Sequence, residues 1–125
     1  MNAVAQAFAV IAALVYIWAG LLESFFFHRP GVHWGIFHTR TEDVPAIRLW
    51  SFCQGFYNLF LAAGAIGGVI ALHAGHGTAG RALVLYACAF MVGAGIVLAI
   101  ADRRQLDGAL GASLPPLIAL VAALV

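Results

Sequence analysis

The chain has 125 residues, of which 64% are hydrophobic and 9% charged, and its mean hydropathy is +1.00. A water-soluble domain of this length needs a polar outer face on every helix, and this composition cannot supply one. The formal net charge of +1, a pI near 7.9 and the lack of any Lys or Arg run exclude a nucleic-acid partner and a basic lipid-phosphate patch.

Four stretches of about 18 or more apolar residues predict transmembrane helices. The first, about 4–27, lacks the basic leader and short apolar core of a cleavable signal and is expected to be a retained span. A loop from His28 to about Val44 follows, and Pro45 suits the first turn of a second span over about 45–72. HAGHGTAG, residues 73–80, predicts a glycine-rich turn before a third span at about 81–101. The fourth, about 106–125, is just long enough to cross a bilayer, and Pro115 and Pro116 are expected to kink or break it. Cys53 and Cys88 fall inside spans without metal-ligand spacing, as small apolar residues do. Short connections predict an all-α, integral membrane, up-and-down four-helix bundle in one domain. Small residues four apart, Gly64/Gly68, Ala89/Gly93 and Gly108/Ala112, predict close helix contacts, within the bundle or with a second copy.

Arginine placement orients the bundle. Arg29, Arg40, Arg48, Arg103 and Arg104 flank the first and third loops, and only Arg81 flanks the second, so loops one and three are expected inside and both termini outside.

The second span carries a polar stripe in WSFCQGFYNLFLA. Gln54 and Asn58 lie one turn apart, Ser51 lies beneath Gln54, and Tyr57 is an edge neighbour. Phe52, Phe56, Leu59, Phe60 and Ala63 form the apolar remainder. Glu23, well inside the first span, shares a helical face with Tyr16, Gly20 and Phe27. An ionised carboxylate facing hydrocarbon costs at least about 2.5 kcal/mol, so Glu23 needs partners, and an intramembrane acid marks a functional site by default. Counting residues from the span ends puts Glu23, Gln54 and Ser113 at similar depth. A buried polar cluster of Glu23, Gln54 and Asn58 is therefore expected, with Ser113 and Tyr57 as further members and Arg48 as an alternative ion-pair partner for Glu23. Amides that merely tie helices together are the competing explanation for Gln54 and Asn58.

His28, His33 and His38 are the weak metal candidates. Five-residue spacing spreads them around a helix, so only a folded loop could converge them, and they are expected to be solvated loop side chains rather than ligands. His73 and His76 belong to the opposite side. No G-x-S-x-G, H-E-x-x-H or glycine-rich phosphate loop occurs.

These residues carry a resemblance. WSFCQGFYNLFLAAG resembles the N-Q-G-L-Y-N-G-F-L-A-A-G signature of small four-helix bacterial membrane proteins, the family catalogued as a domain of unknown function numbered 1304. Glu23 in LLESFFF resembles that family's E-M-F position, VGAGIVLAI its A-G-I segment, and LPPLIALVAALV its closing Pro-rich helix. Cys53 stands where the family has Asn. The resemblance implies the four-span fold and supports Glu23, Gln54, Tyr57 and Asn58 as site residues, without naming a substrate or cofactor.

The expectation is a non-enzymatic, multi-pass protein of the bacterial inner membrane whose partners are the bilayer and a small solute, proton or quinone-like head group bound or passed at the polar site. An accessory subunit of a larger membrane complex is the second expectation, with homo-oligomerisation as another use of the small-residue faces. A membrane enzyme using Glu23 as base is the third.

Overall fold

A computed structural model describes all 125 residues and is helical throughout, with no strand. The four long helices are α1 (Ala3–Phe25), α3 (Val44–His73), α4 (Gly77–Ala101) and α5 (Leu106–Leu124), and a one-turn helix α2 (Pro30–His33) lies in the first loop. Each long helix is long and apolar enough to cross a membrane. At about 1.5 Å per residue, α5 with 19 residues just matches a hydrocarbon core of about 30 Å, and α3 with 30 residues overshoots it.

Local chemistry sets the ends. The Asn2 side chain caps α1 by accepting from Ala5 N at 2.8 Å. Pro45 occupies the first turn of α3, where a missing N–H costs nothing. Gly75, at φ 88°, turns the chain from α3 into α4 through a left-handed conformation open to glycine. Beyond α4, Asp102 accepts from Arg104 N at 3.1 Å, and the Arg104 guanidinium that grips its carboxylate holds that carboxyl below the usual range. Pro115 and Pro116 do not break α5, which continues through both, and Pro116 is buried. Neighbouring membrane helices can compensate for freed backbone groups, so proline need not end such a helix.

The helices run antiparallel in a closed ring: α1 packs on α3, α3 on α4, α4 on α5, and α5 back on α1. Their inward stripes advance in three- and four-residue steps, as in α3 with Ser51, Gly55, Asn58, Ala62, Ala65 and Gly68. Mid-bundle, Ala12, Ala13, Tyr16, Ala62, Ala65, Ala87 and Met91 form a dry core, and Ala9, Val84, Cys88 and Ala119 continue it toward the termini. Loops one and three share one end, joined by His38 to Asp107 and by Gln105 Nε2 to Phe37 O. The termini and the α3–α4 turn share the other, joined by Asn2 to Ala122 O and by His73 to Gln6.

Glycines let three helix pairs touch, but mostly not those expected. A Cβ on Gly20 would lie 2.6 Å from Gly55 O, and one on Gly80 would lie 2.6 Å from Gly68 O. Gly95 faces Ser113 and Ala109 O across α4 and α5. Gly64, Gly93 and Gly108 face open space, so only Gly68 of the predicted pairs makes a glycine contact.

Candidate functional site

The inward stripes change character toward the loop end. On α1 the stripe runs from Tyr16 and Gly20 to Glu23, and on α3 it runs from Asn58 and Gly55 to Ser51. Gly20 and Gly55 bring these two helices so close that hydroxyls reach the opposite backbone. Ser51 Oγ donates to Glu23 O at 2.7 Å, and Ser24 Oγ donates to Phe52 O at 2.8 Å. This clamp fixes the rotation of both helices and aims Glu23 along the α3 surface, where Asn58 Nδ2 donates to Glu23 Oε1 at 2.6 Å. The short distance suits a bond to a carboxyl oxygen.

Beside this pair the helices splay. A cavity of about 830 Å³ opens among all four, within the range of about 300–1,000 Å³ typical of small-molecule sites. Glu23, Gln54, Asn58 and Ser51 contribute its polar wall, and Tyr16, Phe27, Phe37 and Phe90 contribute aromatic surface. Gln54 is not buried with Glu23 as expected: it is exposed on the cavity wall and makes no hydrogen bond within the protein, while Glu23 bonds through Oε1 alone, so an amide and a carboxyl oxygen remain for a ligand. Trp18 and Trp50 line the cavity while 55% and 78% exposed, so it is open to the exterior rather than sealed.

The first loop forms the cap. Gly35, Ile36, Phe37 and Thr39 line the cavity. His33 is not a solvated loop side chain, as expected from sequence, but is 1% exposed. Its Nδ1 lies 2.7 Å from Phe27 O and its Nε2 3.0 Å from Thr41 Oγ1, so the imidazole cross-braces the loop. Phe27 stacks between His33 and Phe37 with ring centroids 6.0 and 5.7 Å away. His38, at φ 55° in the strained left-handed region, places Nε2 3.2 Å from both Asp107 carboxylate oxygens and straps the cap to α5. His28 is exposed, and no group of three or more His, Cys, Asp or Glu side chains is placed to hold a metal ion.

Three expected members are elsewhere. Tyr57 is 62% exposed and does not line the cavity: it lies one residue, about 100°, around the helix from Asn58. Arg48 is exposed and forms no ion pair with Glu23. Ser113 does reach the loop half of the bundle, but it packs against Gly95 and its buried Oγ has no hydrogen-bond partner. Conversely, Ser24, His33 and Phe37 are structural members of the site that carry little signal in the sequence. The only signal was Ser24 beside Glu23 and the histidine-aromatic alternation of HRPGVHWGIFH.

The outer face of α3 matches its apolar residues. Phe25 meets Phe52 and Phe56 edge-on at 6.2 and 5.9 Å, and Phe60 continues the row, 67% exposed. These rings face away from the polar pair.

Residues 10–124, which include both the polar pair and the cap, match the family described as Protein of unknown function (DUF1304). The chain belongs to this family. No curated protein and no solved structure matches it. The match takes in α3, α4, α5 and α1 from residue 10 onward, so the Glu23–Asn58 wall and the loop above it lie within the family region.

Proposed function

We propose that this protein binds, or passes, a small molecule in the cavity between its four helices, with Glu23 as the acid that meets it. The observation that carries this reading is a short Glu23–Asn58 bond on the wall of an open cavity in which the Gln54 amide has no protein partner. Asn58 orients the carboxyl group and leaves one oxygen free. Gln54 offers both a donor and an acceptor on the same cavity lining. The aromatic surface accommodates an apolar body, and the strapped first loop limits exchange at one end. Binding or passage fits better than catalysis, because the second carboxylate on the lining, Asp107, is engaged by His38, and Glu23 is left with neutral amides rather than a paired acid and base.

The protein sits in the bacterial inner membrane in this proposal, with the cap and Arg103–Arg104 on the cytoplasmic side and both termini outside, following the arginine bias. Single cysteines at Thr41 and Ala74, in a background without Cys53 and Cys88, test it: an impermeant maleimide should label only position 74 in intact cells. Labelling at position 41 instead would invert the orientation.

For the site, native mass spectrometry of gently solubilised protein should reveal a retained small molecule in wild type that is lost from Glu23→Gln. Glutamine preserves an acceptor for Asn58, so the variant should express and fold. Equal retention by both proteins would remove Glu23 from the site.

A further inference from the structure

The charge and surface chemistry of the cavity narrow what it can hold. Two carboxylates line it, Glu23 and Asp107, and no Arg, Lys or His does. Asp107 is engaged by His38 from the loop side, which leaves Glu23, bonded only to a neutral amide, as the uncompensated acid. Six aromatic residues share the lining: Tyr16, Trp18, Phe27, Phe37, Trp50 and Phe90. Ring faces are electron-rich and attract cations, indole most strongly, whereas they give an anion nothing. An anionic ligand would meet an unpaired acid with no positive group to offset it, and a neutral polar ligand would leave the aromatic excess unused.

Resting on the binding reading above, we infer that the cavity takes a lipophilic organic cation, an amine or quaternary onium with aromatic or branched apolar substituents. Its positive centre sits against the free oxygen of Glu23, and its substituents lie against Trp18, Trp50 and Phe90. The exposed tryptophans at the opening put ring faces on the entry route. Gln54, on the same cavity lining, accepts from an N–H where the ligand has one.

Tetraphenylphosphonium and tetraphenylborate have nearly the same shape and opposite charge, so the pair isolates the sign. With purified protein in a neutral detergent, followed by tryptophan fluorescence and calorimetry, the phosphonium should bind saturably and at least about tenfold more tightly than the borate. Glu23→Gln should lose that preference, and Glu23→Asp should restore part of it. Equal binding of the two ions, or unchanged phosphonium binding by a folded Glu23→Gln, overturns the inference. Since the ion comparison needs only wild-type protein, misfolding of a variant does not remove the test. If neither ion binds but neutral menadione binds in a Glu23-dependent manner, the cation assignment falls and the binding site stands. If none of the three binds, both fall.

Discussion

At the end that carries the α3–α4 turn, Gly68 and Gly80 bring two backbones together and Ala9, Val84, Cys88 and Ala119 fill what remains. At the loop end, Gly20 and Gly55 bring a different pair just as close, yet the bundle is open beside them. The difference lies in which pairs are clamped. Near the turn, the α3–α4 contact and the alanine core draw the ring shut. Near the loops, α1 is clamped to α3 and α4 to α5, and the space between the two pairs is occupied by polar and aromatic side chains that cannot interdigitate as alanines do. In lipid, where helix association relies on close packing and hydrogen bonds rather than on a hydrophobic drive, such a cavity survives only if its walls are independently tied. The serine-to-carbonyl bonds and the His33 and His38 braces tie them.

The sharpest way to break this comparison is to add one carbon at each crossing. Gly80→Ala puts a methyl 2.6 Å from Gly68 O and 2.7 Å from Leu72 N in the dry half, where nothing can yield. It should cost about 2–3 kcal/mol, the upper part of the overpacking range. Gly55→Ala collides with Gly20 O at 2.5 Å and with Ser24, but the neighbouring cavity gives the pair room to separate, so about 1–2 kcal/mol is expected. Gly64→Ala meets nothing and serves as the control. Thermal unfolding in detergent reads all three. A larger loss at Gly55 than at Gly80 would mean that the loop end is the rigid one.

A double-mutant cycle on Glu23 and Asn58, using alanine at each, sharpens the role of the polar pair. Interhelical hydrogen bonds in membranes average about 0.6 kcal/mol, and bonds to charged groups reach about 1.5–3 kcal/mol. With a carboxyl acceptor at 2.6 Å, a coupling of about 1.5 kcal/mol is expected. A value at the average would reduce the pair to ordinary helix glue.

Much of this architecture is legible in the residues. Span positions follow from hydropathy, and loops one and three share an end because an up-and-down bundle demands it. Glu23 and Asn58 meet because each sits on a face whose remaining residues, Tyr16 and Gly20 on α1 and Gly55 and Ala62 on α3, are small or capable of burial. The misplacement of Tyr57 has a simple cause. A helix apolar all round has no water-facing side to fix its rotation, so the 100° between Asn58 and Tyr57 was invisible until the Gly20–Gly55 crossing set it. Arg48 lies near a helix end, where a long side chain reaches water more cheaply than it bends inward. The cap could not be anticipated, since His33 is buried by contacts with Phe27 and Thr41 that no periodicity encodes.

The cap is held more weakly than the crossings. His38→Asn tolerates the left-handed backbone but cannot reach Asp107 in the same way, so global stability should change by less than about 1 kcal/mol, as for exposed polar side-chain pairs. Local opening should rise. Trypsin cleavage after the exposed Arg40 should accelerate several-fold relative to wild type. An unchanged rate would show that Gln105 and His33 hold the loop without His38.

Ser113→Ala should have the smallest effect and the least intuitive sign. Depth alone made Ser113 a candidate for the polar cluster, and its hydroxyl is indeed out of solvent, but it lies against Gly95 with no acceptor or donor in reach. A buried hydroxyl without a partner carries a desolvation penalty, so removing it is neutral or stabilising by up to about 1 kcal/mol. Phosphonium binding should stay within about twofold of wild type, because the residue turns toward α4 rather than into the cavity. Destabilisation by Ser113→Ala, together with weakened binding, would mean that the hydroxyl rotates into the cavity and adds a polar contact to the α5 wall that Gly108, Gly111 and Ala112 already form.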